Sequence, residues 1–323
     1  MVEAGQKHTF MKSILATGLS GMIGSCIQDT LDTKYTFQDI SLDTGVDIRN
    51  YDNVKTYIEK SDSEIVLHLA AKADVDLCQK DMPIDKPYLT SVVTDDSDIL
   101  IDSIDPKKWQ YKNTAFAVNV VGTVNIARAC KEFNKKLILI STDFVFSGDK
   151  KDPYVESDEP HPVNYYGQTK LWAEKAVSTI RPDSVIVRIT YPYGTHHPVK
   201  QDFIRILIER LKSKKPIMAI FDQLFMPTYV PDIAAALDQI ISMGFSGEIF
   251  HVVGSEAVSA YETAVALAKK FGYDSRVVEK TTAREYYRGR ARRAQYLHTS
   301  NEKIKKLGIS MKSFHEGLAY IYQ

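Results

Sequence analysis

The strongest constraint on the fold lies near the start of the chain. Ser13-Ile14-Leu15-Ala16-Thr17 is a short apolar run that passes without a linker into Gly18-Leu19-Ser20-Gly21-Met22-Ile23-Gly24. A helical stretch, Ser25 to Leu31, follows at once. Strand, glycine turn and helix in that order make a GxxGxxG pattern meaningful. Gly18 permits the tight turn, Gly21 lets a pyrophosphate approach the backbone, and Gly24 lets helix and strand pack closely. The helix N-terminus then offers free N–H groups and the positive end of its dipole to the phosphates. The unit reads as the first turn of a dinucleotide-binding sheet.

The rest of the chain continues that alternation. Strands are expected at Tyr35–Ser41, Glu64–Ala71, Lys136–Ile140, Val185–Ile189 and Glu248–Val253. Their apolar, β-branched composition suits parallel strands buried on both faces. Helices are expected over Asp52–Lys60, Thr114–Asn134, Phe203–Lys212, Asp232–Met243 and Tyr261–Phe271, with Asp232 as an N-cap. The expected fold class is α/β: a Rossmann-like doubly wound parallel sheet over residues 11–190, with the strand and helices around 229–255 returning to it. Residues 191–228 and 256–323 form a smaller C-terminal α/β region, and 323 residues suffice for both. Residues 83–112 break the pattern. They are rich in Asp, Pro and Lys, with one apolar piece, Ile99-Leu100-Ile101, and read as an insertion on the sheet's rim. A lid, a subunit contact and a plain surface excursion all stay open for it. Residues 1–10 read as a disordered extension before a functional start at Met11.

Composition narrows the function. Lys+Arg and Asp+Glu balance at 41 each, so neither nucleic acid nor an anionic membrane is an expected partner. No apolar run approaches the ~20 residues of a membrane span, and residues 1–10 lack a signal peptide's apolar core. Cys26, Cys78 and Cys130 show no metal-ligand spacing and read as buried thiols of a reducing compartment. The expectation is a cytoplasmic protein without a metal.

Chemistry concentrates between Ile140 and Glu174. The run Lys136–Ile140 delivers Ser141, Thr142 and Asp143 to a strand's carboxyl end, where ligands bind in open α/β sheets. Tyr166 and Lys170, four apart, share one helical face. An ammonium beside a phenol favours the phenolate and lowers its pKa, making a proton donor usable near neutral pH. For the adenosine ribose, Asp39 and Asp43 both fall at the expected distance past the first glycine, and Asp39 is carried in the cofactor set. No Arg or Lys lies between Thr36 and Ile48, so no dedicated 2′-phosphate clamp is visible; Arg49 is the next cation available. Ala70 and Ala71 are small enough to let a cofactor lie along the backbone. His68, inside its strand, reads as a packed core histidine. Asn119 needs a partner, either in the active site or on a backbone carbonyl. The basic run Arg284 to Arg293, with Arg288, Arg290, Arg292 and Arg293, reads either as a diphosphate contact or as a solvated face.

Gly18-x-x-Gly21-x-x-Gly24, Ser141-Thr142 and Tyr166-x-x-x-Lys170 together resemble the extended short-chain dehydrogenase/reductase superfamily. The likeness is closer to the dTDP-4-dehydrorhamnose reductase family. It rests on STDFVFSG from Ser141, Pro153-Tyr154, Glu156, Pro162-x-Asn164-x-Tyr166-Gly167 and Lys170-Leu171. It continues in Arg188-x-Thr190-x-x-Tyr193-Gly194 and in Asp222-Gln223-x-x-x-Pro227-Thr228-Tyr229-x-x-Asp232-Ile233-Ala234. The resemblance covers most of residues 11–320 apart from the insertion. It implies NAD(P)H-dependent reduction of a 4-keto group on a nucleotide-diphosphate sugar, with NADPH or NADH as cofactor, and a homodimer. It also implies that the smaller C-terminal region binds substrate.

By the same resemblance Tyr166 donates the proton, Lys170 holds the nicotinamide ribose and tunes Tyr166, and Thr142 bonds the substrate oxygen. Gly18, Gly21, Met22, Ile23 and Gly24 line the cofactor phosphates, Asp47 and Ile48 flank the adenine, and Asn119 joins Asp39, Ala70 and Ala71 in the cofactor set. Thr142, Asp143, Tyr191 and Arg293 form the substrate set. Ala73 stands where the family often has Thr, and Tyr191 where it often has Trp. Phe144 replaces the Glu that sibling 4,6-dehydratases use for elimination. A sugar 4-epimerase, and a regulatory protein resembling the methionine adenosyltransferase β subunit, share the signature and are the alternatives.

Overall fold

The computed structural model describes residues 11–95, 98–194 and 197–322; the expected N-terminal extension lies outside them. In chain order the strands are β1 (Lys12–Thr17), β2 (Tyr35–Asp39), β3 (Ile65–His68), β4 (Lys136–Thr142), β5 (Val185–Ile189), β6 (Pro192–Tyr193), β7 (Ile217–Ile220), β8 (Thr228–Tyr229), β9 (Ile249–His251) and β10 (Val278–Thr281). The long helices are α1 (Met22–Leu31), α2 (Tyr51–Lys60), α3 (Val75–Leu89), α4 (Gly122–Glu132), α5 (Tyr165–Ile180), α6 (Phe203–Lys212), α7 (Val230–Met243) and α8 (Ala260–Phe271).

Six strands form one parallel sheet in the order β2-β1-β3-β4-β5-β9. Consecutive side chains alternate between its faces. Leu15, Val66, Leu137, Leu139 and Ile186 point to the side covered by α2, α4 and α5. Ile14, Ala16, Leu67, Ile138, Ile140 and Val187 point to the side covered by α1 and α7. Both faces are therefore dry, which is why these strands read as continuous apolar runs. The chain leaves β1 for β2 on one side and returns past it to β3. This reversal opens the crevice in which doubly wound sheets bind ligands.

Two glycines set the geometry at that crevice. Helix α1 begins at Met22, three residues earlier than expected, with Gly21 as N-cap. Gly24 therefore sits in the first turn, where a Cβ would collide with the Gly18 carbonyl and come within 2.7 Å of Leu19 Cα. Gly167, in the first turn of α5, lies so close to the Phe144 carbonyl that no side chain fits. The amide of Asn164 accepts the Gly167 N–H at 2.9 Å and caps the helix. The start of α5 is thus pressed against the end of β4.

The insertion is not a rim excursion. Its first seven residues belong to α3, which contains Pro83 and Pro87. Asp85 accepts Tyr165 Oη at 2.9 Å and the Phe116 N–H at 3.2 Å, while Asp81 accepts the Ala115 N–H at 2.8 Å. Val92, Ile99, Ile104 and Trp109 are buried in the core shared with α4 and α5. The Trp109 ring lies 4.6 Å from Phe116, which in turn meets Trp172 at 5.8 Å. Polar composition hid these anchors, because they are spaced singly along a loop without a period. The expected single helix over 114–134 opens with a π-helical segment, Phe116–Val121, before continuing as α4.

A second, smaller body holds its own apolar core between α6 and α8, including Ile204, Leu207, Leu211, Phe225, Ala264 and Leu267. Strands β7 and β10 pair in parallel there, and β6 pairs with β8. Neither β7 nor β10 was expected from sequence. Each is four residues long, and β10 buries only Val278 and Thr281. Helix α7 starts at Val230, so Asp232 is not its N-cap; it lies in the first turn and receives the Lys312 N–H at 2.8 Å and ammonium at 2.6 Å.

If the insertion belongs to the core, Trp109→Ala should lower stability by about 3–5 kcal/mol in urea denaturation. A loss under about 1 kcal/mol would return the segment to the surface.

Candidate active site

A cavity of about 800 Å³ lies between the carboxyl ends of the large sheet and the smaller body. That size suits a bound small molecule. Met22 and Ile23 of α1 line one part of it. Thr142, Phe144, Tyr166 and Tyr191 line another, and Tyr286, Tyr287, Arg290 and Arg293 a third. Among the described residues no three His, Cys, Asp or Glu side chains could hold a metal, and no helix is long and apolar enough to cross a membrane.

Thr142 ends β4 and is nearly buried; its hydroxyl accepts the Phe144 N–H at 3.2 Å. The same hydroxyl donates to Asp143 Oδ1 at 3.2 Å, and Thr190 donates to Asp143 Oδ2 at 2.6 Å. Asp143 is fully buried and absent from the cavity wall, so it sits behind Thr142 rather than facing a substrate. Loss of water pushes its carboxyl up to about 7, against the pull of the two threonine hydroxyls.

Burial also pushes the Tyr166 phenol up, opposed by the Thr142 hydroxyl. This is opposite to the lowering expected from a neighbouring lysine. Burial is the dominant cause, and the Lys170 ammonium is engaged elsewhere, donating to the Ile140 carbonyl at 2.8 Å. Burial lowers Lys170 to about 8, against the nearby Glu174 carboxylate. Glu174 is gripped by Arg188 through two bonds of 3.0 and 2.7 Å. Phe144 meets Tyr166 edge-on, with ring centres 5.7 Å apart.

The glycine turn adjoins this site. No side chain caps α1 and no acid lies in its first turn, so its N–H groups stay available to an anion. A Cβ on Gly18 would come within 2.9 Å of the Ala70 nitrogen, so the turn abuts the end of β3. Ala70 and the neighbouring Ala71 are half-buried there. The turn and these small residues fit a dinucleotide backbone. Asp39 ends β2; Ser41 donates to its Oδ2 at 2.6 Å, and its Oδ1 has no hydrogen-bond partner among the described residues. Asp43 is exposed in the following turn. Although burial acts upward, Arg49 holds the Asp47 carboxyl below its ordinary value, with bonds of 2.9 and 3.1 Å from Nε. Ile48 is buried, and Asn125 donates to its carbonyl at 2.9 Å.

Other residues serve the frame. Asn119 is fully buried; it accepts the Lys72 N–H at 2.7 Å and donates to the Lys72 carbonyl and to Thr169, each at 3.0 Å. It clamps the loop after β3 onto α5. His68 lies between Thr17 and Thr123 hydroxyls at 2.7 and 2.9 Å, and burial lowers it to about 3, so it is neutral. Of the basic run, Arg290 and Arg293 line the cavity while Arg288 and Arg292 are exposed away from it. Arg293 pairs with Asp76 at 3.1 Å and lies over Tyr287; Arg290 lies over Tyr286. Tyr191 holds φ +34°, rare for a bulky residue, with its ring centre 4.2 Å from that of Phe225. Asp76, Phe225, Tyr286 and Tyr287 carry no sequence signal of their own; only the packing of the smaller body brings them to the cavity.

Residues 107–323 match the family described as RmlD substrate binding domain. The chain is 29% identical over 307 residues to the dTDP-4-dehydrorhamnose reductase of Mycolicibacterium smegmatis, spanning 94% of this chain and 83% of that one. It is 27% identical over 276 residues to the dTDP-4-dehydrorhamnose reductase of Aggregatibacter actinomycetemcomitans, spanning 84% and 81%. Among solved structures it is similar to the dTDP-4-dehydrorhamnose reductase of Bacillus anthracis in complex with NADP. That match has a TM-score of 0.80 and 25% identity, and covers 96% of this chain and 98% of that one.

Because the folded protein holds the Asp143 proton more tightly than the unfolded chain, this group favours folding at low pH and loses that contribution as pH rises toward about 7. The stability of the native chain relative to Asp143→Asn should therefore fall between about pH 4 and about pH 7, then level off. Urea midpoints across that range check it; a pH-independent gap would refute the buried, proton-retaining carboxyl.

Proposed function

Since the chain belongs to the RmlD substrate binding domain family, we propose that it reduces the 4-keto group of a nucleotide-diphosphate sugar with NADPH or NADH. One observation carries this reading: a single cavity is lined by the first turn of α1, by Thr142 and Tyr166, and by Arg290 and Arg293. It offers a phosphate-binding helix end, a hydroxyl pair and cations for a diphosphate. The assignment of roles to individual residues is our own, as is the division into a cofactor part (11–190 with 229–255) and a substrate part (191–228 with 256–323).

Gly18, Gly21, Met22, Ile23 and Gly24 would hold the cofactor phosphates, with Asp39, Asp47, Ile48, Ala70 and Ala71 along its remaining length. When bound, the nicotinamide supplies a hydride to the carbonyl carbon. Tyr166 supplies the proton. Burial keeps its phenol protonated across the neutral range, so the proton leaves only when the substrate oxygen becomes strongly basic. Thr142, held by Asp143, orients that oxygen. Lys170, still largely cationic at neutral pH, would hold the nicotinamide ribose. Arg290 and Arg293 face the cavity as partners for the diphosphate. Phe144 cannot move a proton, which argues against elimination. The presence of Thr142, Tyr166 and Lys170 together favours an enzyme over a purely regulatory subunit. We further propose a homodimer, on the family resemblance; a one-chain mass in light scattering would refute it.

Tyr166→Phe should bind NAD(P)H with unchanged affinity and lose about 10²–10⁴ in turnover. Near-normal reduction of nucleotide 4-keto sugars by the variant would overturn the role of Tyr166.

A further inference from the structure

Lys170 is 3% exposed, and its ammonium makes one hydrogen bond, to the Ile140 carbonyl, and no ion pair among the described residues. An ammonium taken out of water needs an opposite charge close by, or it gives up its proton. The groups around it offer one such charge. On its own helix are Tyr166, whose phenol burial keeps neutral, and Glu174, one turn further on and also buried. His68 on β3 is neutral, lowered to about 3 by burial. Asp143, after β4, is bonded by Thr142 and Thr190. Arg188 on β5 is a second buried cation. Glu174 is the carboxylate that acts on Lys170 and opposes the effect of burial.

Glu174 is anchored by Arg188, which grips it through Nε at 3.0 Å and Nη2 at 2.7 Å. The remaining nitrogen, Nη1, meets His251 Nε2 at 3.4 Å, and the guanidinium lies over the Phe146 ring at 5.1 Å. Burial lowers His251 to about 3, so its ring is neutral. Its Nδ1 donates to the Ser300 carbonyl at 3.2 Å, which leaves the Nε2 lone pair to accept from Arg188. A brace between α5 and β5 needs one cation and one carboxylate. Here one carboxylate serves two buried cations, and only one of them touches it.

We infer that Glu174 is a positioning residue of the cofactor site: its carboxylate, anchored by Arg188 and His251, holds the Lys170 side chain as an ammonium where α5 meets β4. The inference rests on the reading that Lys170 holds the nicotinamide ribose.

Glu174→Gln alone leaves Arg188 as an unpaired buried charge and endangers the fold. Glu174→Gln combined with Arg188→Met removes both charges and is the variant to read. Lys170 is followed by carbon-13 NMR of its ε-carbon in the lysine-labelled full chain, with the signal assigned by its loss in Lys170→Met. The native ammonium should half-titrate near about 8. In the double variant it should do so about one pH unit or more lower. Binding of NADH and NADPH, measured without sugar, should then weaken by up to about fivefold relative to the native chain near pH ~8 and match it near pH ~6. An unshifted Lys170 titration in the folded double variant overturns the inference and leaves the pair a structural brace. A shifted titration that cofactor binding does not follow overturns the positioning role. Binding of neither dinucleotide by the native chain overturns the cofactor reading and the inference together. A shifted titration and cofactor affinity in a chain that reduces no nucleotide 4-keto sugar upholds the inference and counts against the proposed reaction alone.

Discussion

The contact between the first turn of α5 and the end of β4 holds the site together. It exists because Gly167 has no side chain to keep the helix off the Phe144 carbonyl. Asn164 caps the same turn, and Lys170, one turn further, reaches back to the Ile140 carbonyl. A buried ammonium is tolerable only when bonded and partnered. The carbonyl supplies the bond, and the Glu174 carboxylate, held in place by Arg188, supplies a nearby opposite charge. Helix and strand are thereby locked in register, and Thr142 and Tyr166 face one cavity from two elements.

The electrostatics around that cavity follow from the burial of three groups beside it. Asp143 and Tyr166 are pushed up and Lys170 down, each toward its neutral form, by the same loss of water. A phenol that holds its proton is a reserve rather than a ready acid. In the proposed reaction its release would depend on what occupies the cavity.

The insertion and the smaller body extend this frame. The insertion's Asp85 bonds Tyr165, the residue just before Tyr166, and its Trp109 packs against Phe116, which meets Trp172 of α5. Through the Lys112 carbonyl it also restrains Arg49. One polar-looking segment therefore supports the helix that carries Tyr166 and fixes the guanidinium of Arg49.

The sequence alone determined the α/β class and the parallel sheet, because strands buried on both faces and a glycine turn leave a local signal. It also singled out Thr142, Tyr166 and Lys170 as candidates, since a strand end and an i, i+4 pair are short-range facts, and the structure places Thr142 and Tyr166 on the cavity wall. Tertiary structure alone decided what depends on partners far away in the chain. Asp143 lies behind Thr142 because Thr190 reaches it from β5's end. Asn119 is consumed by Lys72 and Thr169, so its amide serves the frame. The pair β7 and β10 forms between segments some sixty residues apart. Lys170 bonds a carbonyl rather than lowering the phenol. Spacing along a helix tells which side chains share a face; only packing tells which atom each one meets and whether water is there to screen it.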